Sequence, residues 1–313
     1  MRPLGRSRRA RSSRRSHASA FWVSFPRQVT RAVARHCGQA FAISAGSKAE
    51  TCSSSSVGPR AITIGCPALA EELVRLNVDV LVTHASPGAL AAKRSTSKIP
   101  IVITAVGDML ALDLVSSLSR PGGNITGLSI FTPELAAKRL ELLKEAFPAL
   151  TKAAVLLNPD NAVNRLILNE MGATAKASSI VLQTFEARRS SDFERVFTAM
   201  ADQQVDALVV VEDTMLNANA NALAVFAAVK RLPSCGFPEF VRAGGLLAYG
   251  INFPDMDYRA ATFVDKILKG AHPGDLPVEQ STKFNMMVNL QTAKALSITL
   301  PPTLLARADE VIE

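Results

Sequence analysis

The 313-residue chain is long enough for one large domain or two of ordinary size, with enough core to fold without disulfide staples. Its net charge of +8 would suit a nucleic-acid binder, but residues 1–60 hold eleven arginines, one lysine and a single acid, Glu50, which leaves −3 on the remainder. The basic start has no interleaved aromatics, and no apolar run reaches the roughly 18 residues of a membrane span, so composition argues against a nucleic-acid partner and against a membrane-spanning chain.

Up to about Arg60 there is no periodicity, few apolar clusters and a serine run, Ser53–Ser56, so residues 1–60 are expected to be disordered. The same stretch lacks the continuous apolar core of a secretory signal. From Pro67 onward, β-branched runs alternate with amphipathic stretches about every 25 residues. Strands are predicted at Val78–Val82, Ile101–Val106, Ile125–Leu128, Ala153–Leu157, Ser179–Phe185, Ala207–Val211, Leu246–Tyr249 and Phe284–Leu290. Helices are predicted at Ala68–Leu76, Gly88–Arg94, Leu110–Leu118, Pro133–Ala146, Ala162–Ala177, Ser191–Gln203, Leu216–Lys230, Asp255–Leu268 and Pro302–Ala308.

Continuous apolar strands are buried on both faces, which means a parallel sheet covered by helices, and strict alternation gives right-handed βαβ units. There are too many units for one sheet. The expectation is an α/β protein of two Rossmann-like, doubly wound lobes with a ligand cleft between them, the seam lying near Ser129–Pro133. Residues 61–128 plus 251–285 are assigned to the N-terminal lobe and 129–250 plus 286–313 to the C-terminal lobe.

In such sheets ligands bind beyond the carboxyl ends of strands, where helix N-termini offer unpaired N–H groups. Four strand ends carry suitable chemistry: Thr83–Gly88, with Ser86 as N-cap and Pro87 at the first helical position; Gly107–Asp108; Asn158–Asn161; and Glu212–Thr214. Each could be an ordinary cap. Together, on facing lobes, they favour a small ligand with a carboxylate and an ammonium. Ser86 and the helix start at Gly88 would serve the carboxylate, and Asp213 the ammonium, with Asp108 as second choice. Asn158 and Tyr249 would orient the ligand, Tyr249 also as an aromatic wall. No nucleophile elbow, phosphate loop, dinucleotide fingerprint or zinc-helix motif is present, so neither an enzyme nor a cofactor is called for. His84 and His272 stand alone and read as cap or surface residues. Cys37, Cys52, Cys66 and Cys235 show no paired spacing and are expected to be unbridged.

Four stretches, PALAEELVRLNVDVLVT (67–83), SRPGGNITGLSIFTPELAAKRLELLKE (119–145), EFVRAGGLLAYG (239–250) and TKFNMMVNLQTAKALSITLPPTLLARADEVIE (282–313), resemble the tryptophan/tyrosine type of ABC-transporter substrate-binding protein. The resemblance extends over residues 67–313. It implies the type I periplasmic binding-protein fold, three chain crossings between the lobes, amino-acid-like ligands, ABC permease subunits as partners and a periplasmic location. A ligand-sensing regulator of the same fold, which should open with a helix-turn-helix, and an α/β enzyme with an unrecognised site are the alternatives.

Residues 1–66 do not resemble that family, whose members open with a signal peptide and a first strand such as IGFLG. With suitable codons, a two-base shift of frame is compatible with IGFLG at Ala18–Val23 and with a family-like run from Gln39 to Cys66. The expectation is therefore an out-of-frame N-terminus, a missing signal peptide that leaves the cytoplasm open as a location, and an N-terminal lobe lacking its first strand.

Overall fold

The structure is a computed structural model that describes residues 20–23, 59–130, 132–161 and 163–313. Strands β1 (Ala20–Val23), β2 (Val80–Thr83), β3 (Ile101–Val106) and β4 (Ile125–Ser129) form one parallel sheet with the short β10 (Glu279–Gln280), in the order β1-β2-β3-β4-β10. The second sheet is built from β5 (Lys152–Leu157), β6 (Val181–Glu186), β7 (Ala207–Val210), β8 (Ser234–Gly236), β9 (Leu247–Ile251), β11 (Phe284–Asn289) and β12 (Glu310–Ile312), in the order β12-β11-β9-β8-β7-β5-β6. Only β11 runs antiparallel to its neighbour β9, with Met287 opposite Ala248.

The first sheet is covered on both faces, as its fully buried strands VLVT and IVITAV require. On one face, helix α9 (Phe253–Leu268) lays Met256, Ala260, Phe263, Val264 and Ile267 on Val80, Val82, Val102 and Leu128. That spacing is the stripe of a helix with one apolar side. On the other face, Ala89 and Ala92 of α2 (Ala85–Ser95) pack with Leu81, Ile101 and Ile103. Helix α1 (Pro59–Arg75) runs into the same cluster through Leu73 and Val74.

The second sheet carries α3 (Thr132–Ala146), α4 (Asn164–Ala177), α5 (Phe193–Asp202), α6 (Thr214–Ala218), α7 (Ala220–Val229), α8 (Pro238–Arg242), α10 (Leu290–Leu296) and α11 (Pro302–Leu305). Phe193 and Phe197 of α5 are fully buried against Phe226 of α7, the Phe197 and Phe226 rings stacking at 5.3 Å. The chain passes between the two sheets three times, after β4, after β9 and after β10. Two α/β lobes result, joined by these three crossings.

Three expectations are corrected. Residues 109–113 make turns instead of the helix predicted at Leu110–Leu118, because the Asp108 carboxylate caps the chain there and Asp113 turns left-handed at φ 52°. The helix predicted at Leu216–Lys230 is broken at Asn219, whose side chain donates to the Met215 carbonyl at 2.7 Å and ends α6. Ala20–Val23, expected to be disordered, pair in parallel with Val80–Thr83 and occupy the place expected to lack a strand; their run of large and β-branched residues suits an extended segment. Pro59 and Arg60, also expected to be disordered, open α1, and the rest of the expected disorder, 1–19 and 24–58, lies outside the described residues. Among the described residues no helix is long and apolar enough to cross a membrane, and Cys235 is a buried free thiol.

Candidate functional site

In the first lobe, β2 ends at Thr83 and α2 begins two residues later. The N-cap position belongs to His84, in extended conformation at φ −134° and ψ 151°, and its side chain makes no capping bond. Ser86 therefore lies inside the first turn instead of capping it, which corrects the sequence reading. The orphan N–H groups of this helix start are therefore left uncapped by the N-cap side chain. Ala85 takes a left-handed φ of 58°, which costs a non-glycine residue about 1–2 kcal/mol. Beneath the turn lies Thr83, with no exposed surface and no partner for its hydroxyl. A Cβ at Gly88 would come within 2.4 Å of Thr83 Oγ1, so only glycine leaves room for that hydroxyl.

Asp108, at the end of β3, accepts from the Leu110 and Ala111 N–H groups at 2.8 and 3.1 Å through Oδ1. That oxygen is occupied by the turn it holds. His84, read from sequence as a cap or surface residue, instead places Nδ1 3.2 Å from Thr104 Oγ1 and its ring edge-on to Phe253 at 5.6 Å. Removal from water pushes its pKa down from 6.5 to about 4, against the opposing field of Glu212, so the imidazole is neutral at pH 7. Glu212 belongs to the other lobe, and its charge acts on His84 as a field. His272 does cap, accepting from the Gly274 N–H at 3.2 Å.

In the second lobe Asp213 is the N-cap of α6. Its Oδ1 accepts from the Met215 and Leu216 N–H groups at 2.8 and 3.2 Å. Asn158, 3.4 Å away, and Asn161, 3.3 Å from Oδ2, both point amides at the same carboxylate. All four donors are neutral. Burial raises the Asp213 pKa, and the four hydrogen bonds oppose that rise. Among the described residues the negative charge thus has donors but no cation beside it. Nearby, Asn164 donates to the Asn158 carbonyl at 2.5 Å and Asn217 to Glu212 Oε1 at 3.3 Å. The side-chain oxygens of Asn164 and Asn217 are buried with no partner.

Tyr249, on β9, stacks on Phe284 at 5.6 Å and packs against the cores of both lobes. Its carbonyl accepts from Arg139 Nε at 2.8 Å. The structure thus brings Asn158 and Asp213 into contact and joins Tyr249 to them through Arg139 and Glu212. Ser86 and Asp108 stand at neighbouring strand ends of the opposite lobe.

Thr83 and Glu212 lie in strand ends singled out from sequence but were given no role there, and Arg139, Asn164 and Asn217 were not selected at all. Arg139 left a signal, since it falls on the apolar stripe of α3 between Leu135 and Ala136 on one side and Leu140 and Leu143 on the other. Asn164 and Asn217 left none, because unpartnered amides become visible only in three dimensions.

The family model described as ABC transporter substrate binding protein matches residues 62–312. A tyrosine-binding protein of Clostridioides difficile is 27% identical over 231 residues; the match covers 74% of this chain and 66% of the length of that relative. Among solved structures, an ABC domain from Streptococcus pneumonia in complex with L-Trp superposes with a TM-score of 0.80 at 22% identity, over 94% of this chain and 100% of the other. A conserved domain protein from Vibrio cholerae gives 0.80 at 25% identity, over 94% and 98%. The ligand-free, open structure of a substrate binding protein with adhesive properties from Clostridium difficile gives 0.66 at 21% identity, over 95% and 98%. With four-fifths of its length accounted for by that family model, the chain belongs to the ABC transporter substrate binding protein family.

Proposed function

We propose that this chain is the solute-binding component of an ABC importer, that it takes an amino-acid-like small molecule between its lobes, and that it releases it unchanged to permease subunits. The observation that carries the reading is a mismatch of hydrogen-bonding groups between the facing walls. The α2 start has N–H donors that its N-cap side chain leaves uncapped and a buried Thr83 hydroxyl without an acceptor, while the second lobe has the Asn164 and Asn217 oxygens without donors and an anion, Asp213, with no cation beside it among the described residues. Each buried orphan costs about 1–3 kcal/mol and calls for a missing partner. A zwitterion supplies both partners, its carboxylate to the first wall and its ammonium to the second.

The tyrosine-binding relative and the L-Trp complex agree with that class of ligand. Closure of the lobes over the ligand would shut the orphan atoms off from water. Ligand exchange then needs hinge opening at the three crossings. Of the sequence candidates, Asn158 and Asp213 form the ammonium wall, Ser86 flanks the carboxylate end and Tyr249 lines the hinge side. Asp108 is left outside the contact set. The proposed place of action is the periplasm, as for other binding components of importers.

Calorimetric titration of the full chain with the twenty common L-amino acids tests this reading. At least one should bind with a 1:1 stoichiometry and raise the melting temperature. Failure of all twenty would remove the amino-acid assignment.

A further inference from the structure

Arg139 is the largest fully buried side chain of the described residues and sits with no exposed surface on the apolar stripe of α3. Its fork donates in three directions: Nε to the Tyr249 carbonyl at 2.8 Å, Nη1 to the Val210 carbonyl at 2.8 Å and Nη2 to Glu212 Oε2 at 2.5 Å. Three acceptors in fixed directions suit a planar guanidinium and not a lysine ammonium. The strand beside the fork carries Gly250, where a Cβ would clash with Pro238 Cδ at 2.6 Å while standing at an ordinary 3.5 Å from Nη2.

What the fork holds bears on the site. Glu212 has one oxygen on Arg139, and its other oxygen accepts from Asn217 Nδ2. An amide that commits its nitrogen on one side must turn its oxygen to the other, and that oxygen is the buried acceptor without a partner. The Glu212 carbonyl also accepts from Asn161 Nδ2 at 3.3 Å, which ties the same residue to the Asp213 cluster.

We propose that Arg139 is a positioning residue for the ammonium end of the site: through Glu212 it fixes the Asn217 amide so that Oδ1 faces the ligand as an acceptor. The proposal rests on the amino-acid reading above. It makes Asn217 a binding residue and Arg139–Glu212 an internal brace that never touches the ligand.

The brace can be removed without leaving a lone charge by replacing both partners with apolar groups, R139M/E212L. Its melting temperature should fall by several degrees, because the Val210 and Tyr249 carbonyls lose their donor, and its affinity for L-tyrosine, measured well below that melting temperature, should fall about tenfold to a hundredfold, the value of a hydrogen bond to a charged group. In wild type, Asn217→Ala should cost a similar factor. In the R139M/E212L background it should cost little more, because the two changes remove one and the same interaction. Unchanged affinity in R139M/E212L, or losses that simply add, would overturn the proposal.

A second readout uses the ligand-free protein. The Asn217 side-chain amide protons, assigned by their loss in Asn217→Asp, should be protected from solvent exchange in wild type and unprotected in R139M/E212L. Equal protection in both would overturn the brace. If wild type fails to bind L-tyrosine and the other amino acids, the functional reading falls and this amide measurement alone decides the role of Arg139.

Discussion

Replacing Thr83 by valine separates the cost of an orphan hydroxyl from its use. The residue is wholly buried at the end of β2, and its Oγ1 has no partner. Valine keeps the branched shape and puts a methyl where the hydroxyl was, in the space that Gly88 leaves open. In the ligand-free protein the change removes an unsatisfied polar group, so stability should rise by about 1 kcal/mol, or roughly 2–4 °C in melting temperature for a protein of this size. In the complex the same hydroxyl is proposed to donate to the ligand carboxylate, a charged acceptor for which about 1.5–3 kcal/mol is typical. Affinity should therefore fall about tenfold to a hundredfold. The two effects have opposite signs. Differential scanning fluorimetry without ligand and calorimetry with the best-binding amino acid would measure both. A variant that melts lower and binds as well as wild type would show that the hydroxyl serves the fold and not the site.

Asp213→Asn should keep the cap to Met215 and Leu216 while deleting the charge, so binding of an ammonium ligand should weaken by about a hundredfold or more with little change in melting temperature, whereas Asp213→Ala should also lose about 1 kcal/mol with the cap. Because burial already raises the Asp213 pKa and a bound ammonium would lower it, affinity should fall as pH drops through the carboxylate range, which a calorimetric pH series would follow. Asp257 is pushed by burial from 3.8 up to about 7; its unfolded form loses the proton first, so its contribution becomes unfavourable as pH rises from about 4 to 7, and Asp257→Asn should raise the melting temperature at pH 8 more than at pH 4. His84 has the opposite sense for acid: unfolded, it takes a proton near 6.5, folded only near 4, so stability should decline between those values by at most about 3 kcal/mol, and His84→Gln should flatten that decline in chemical denaturation.

The parallel strands were legible because a strand buried on both faces must be a continuous apolar run; Ile101–Val106 coincides residue for residue with β3. Ser234–Gly236 was missed because SCG has neither length nor β-branching, and it is a strand only by pairing with β7 and β9. Leu110–Leu118 misled because apolar spacing suggested a helix where Asp108 and the left-handed Asp113 impose turns. In the site, Asn158 and Asp213 were legible as polar residues ending buried strands. Their setting was not. Arg139, Glu212 and Tyr249 come from three separate elements, and only the assembled sheet puts the Val210 and Tyr249 carbonyls within reach of one guanidinium. The exchange of roles between Ser86 and Thr83 turned on where α2 begins, a matter of two residues that strand and helix patterns do not resolve.

The central claim is that the two walls have opposite needs, donors seeking an acceptor at the α2 start and acceptors seeking a donor around Asp213. A crystal structure of the full chain with its best-binding amino acid tests this most directly. The ligand carboxylate should lie within hydrogen-bonding distance, about 3 Å, of Thr83 Oγ1 and the first-turn N–H groups of α2, and the ammonium at a similar distance from Asp213 or from the Asn217 and Asn164 oxygens. A ligand bound in the reverse orientation, or bound outside this junction with Thr83, Asn164 and Asn217 still unpartnered, would contradict it.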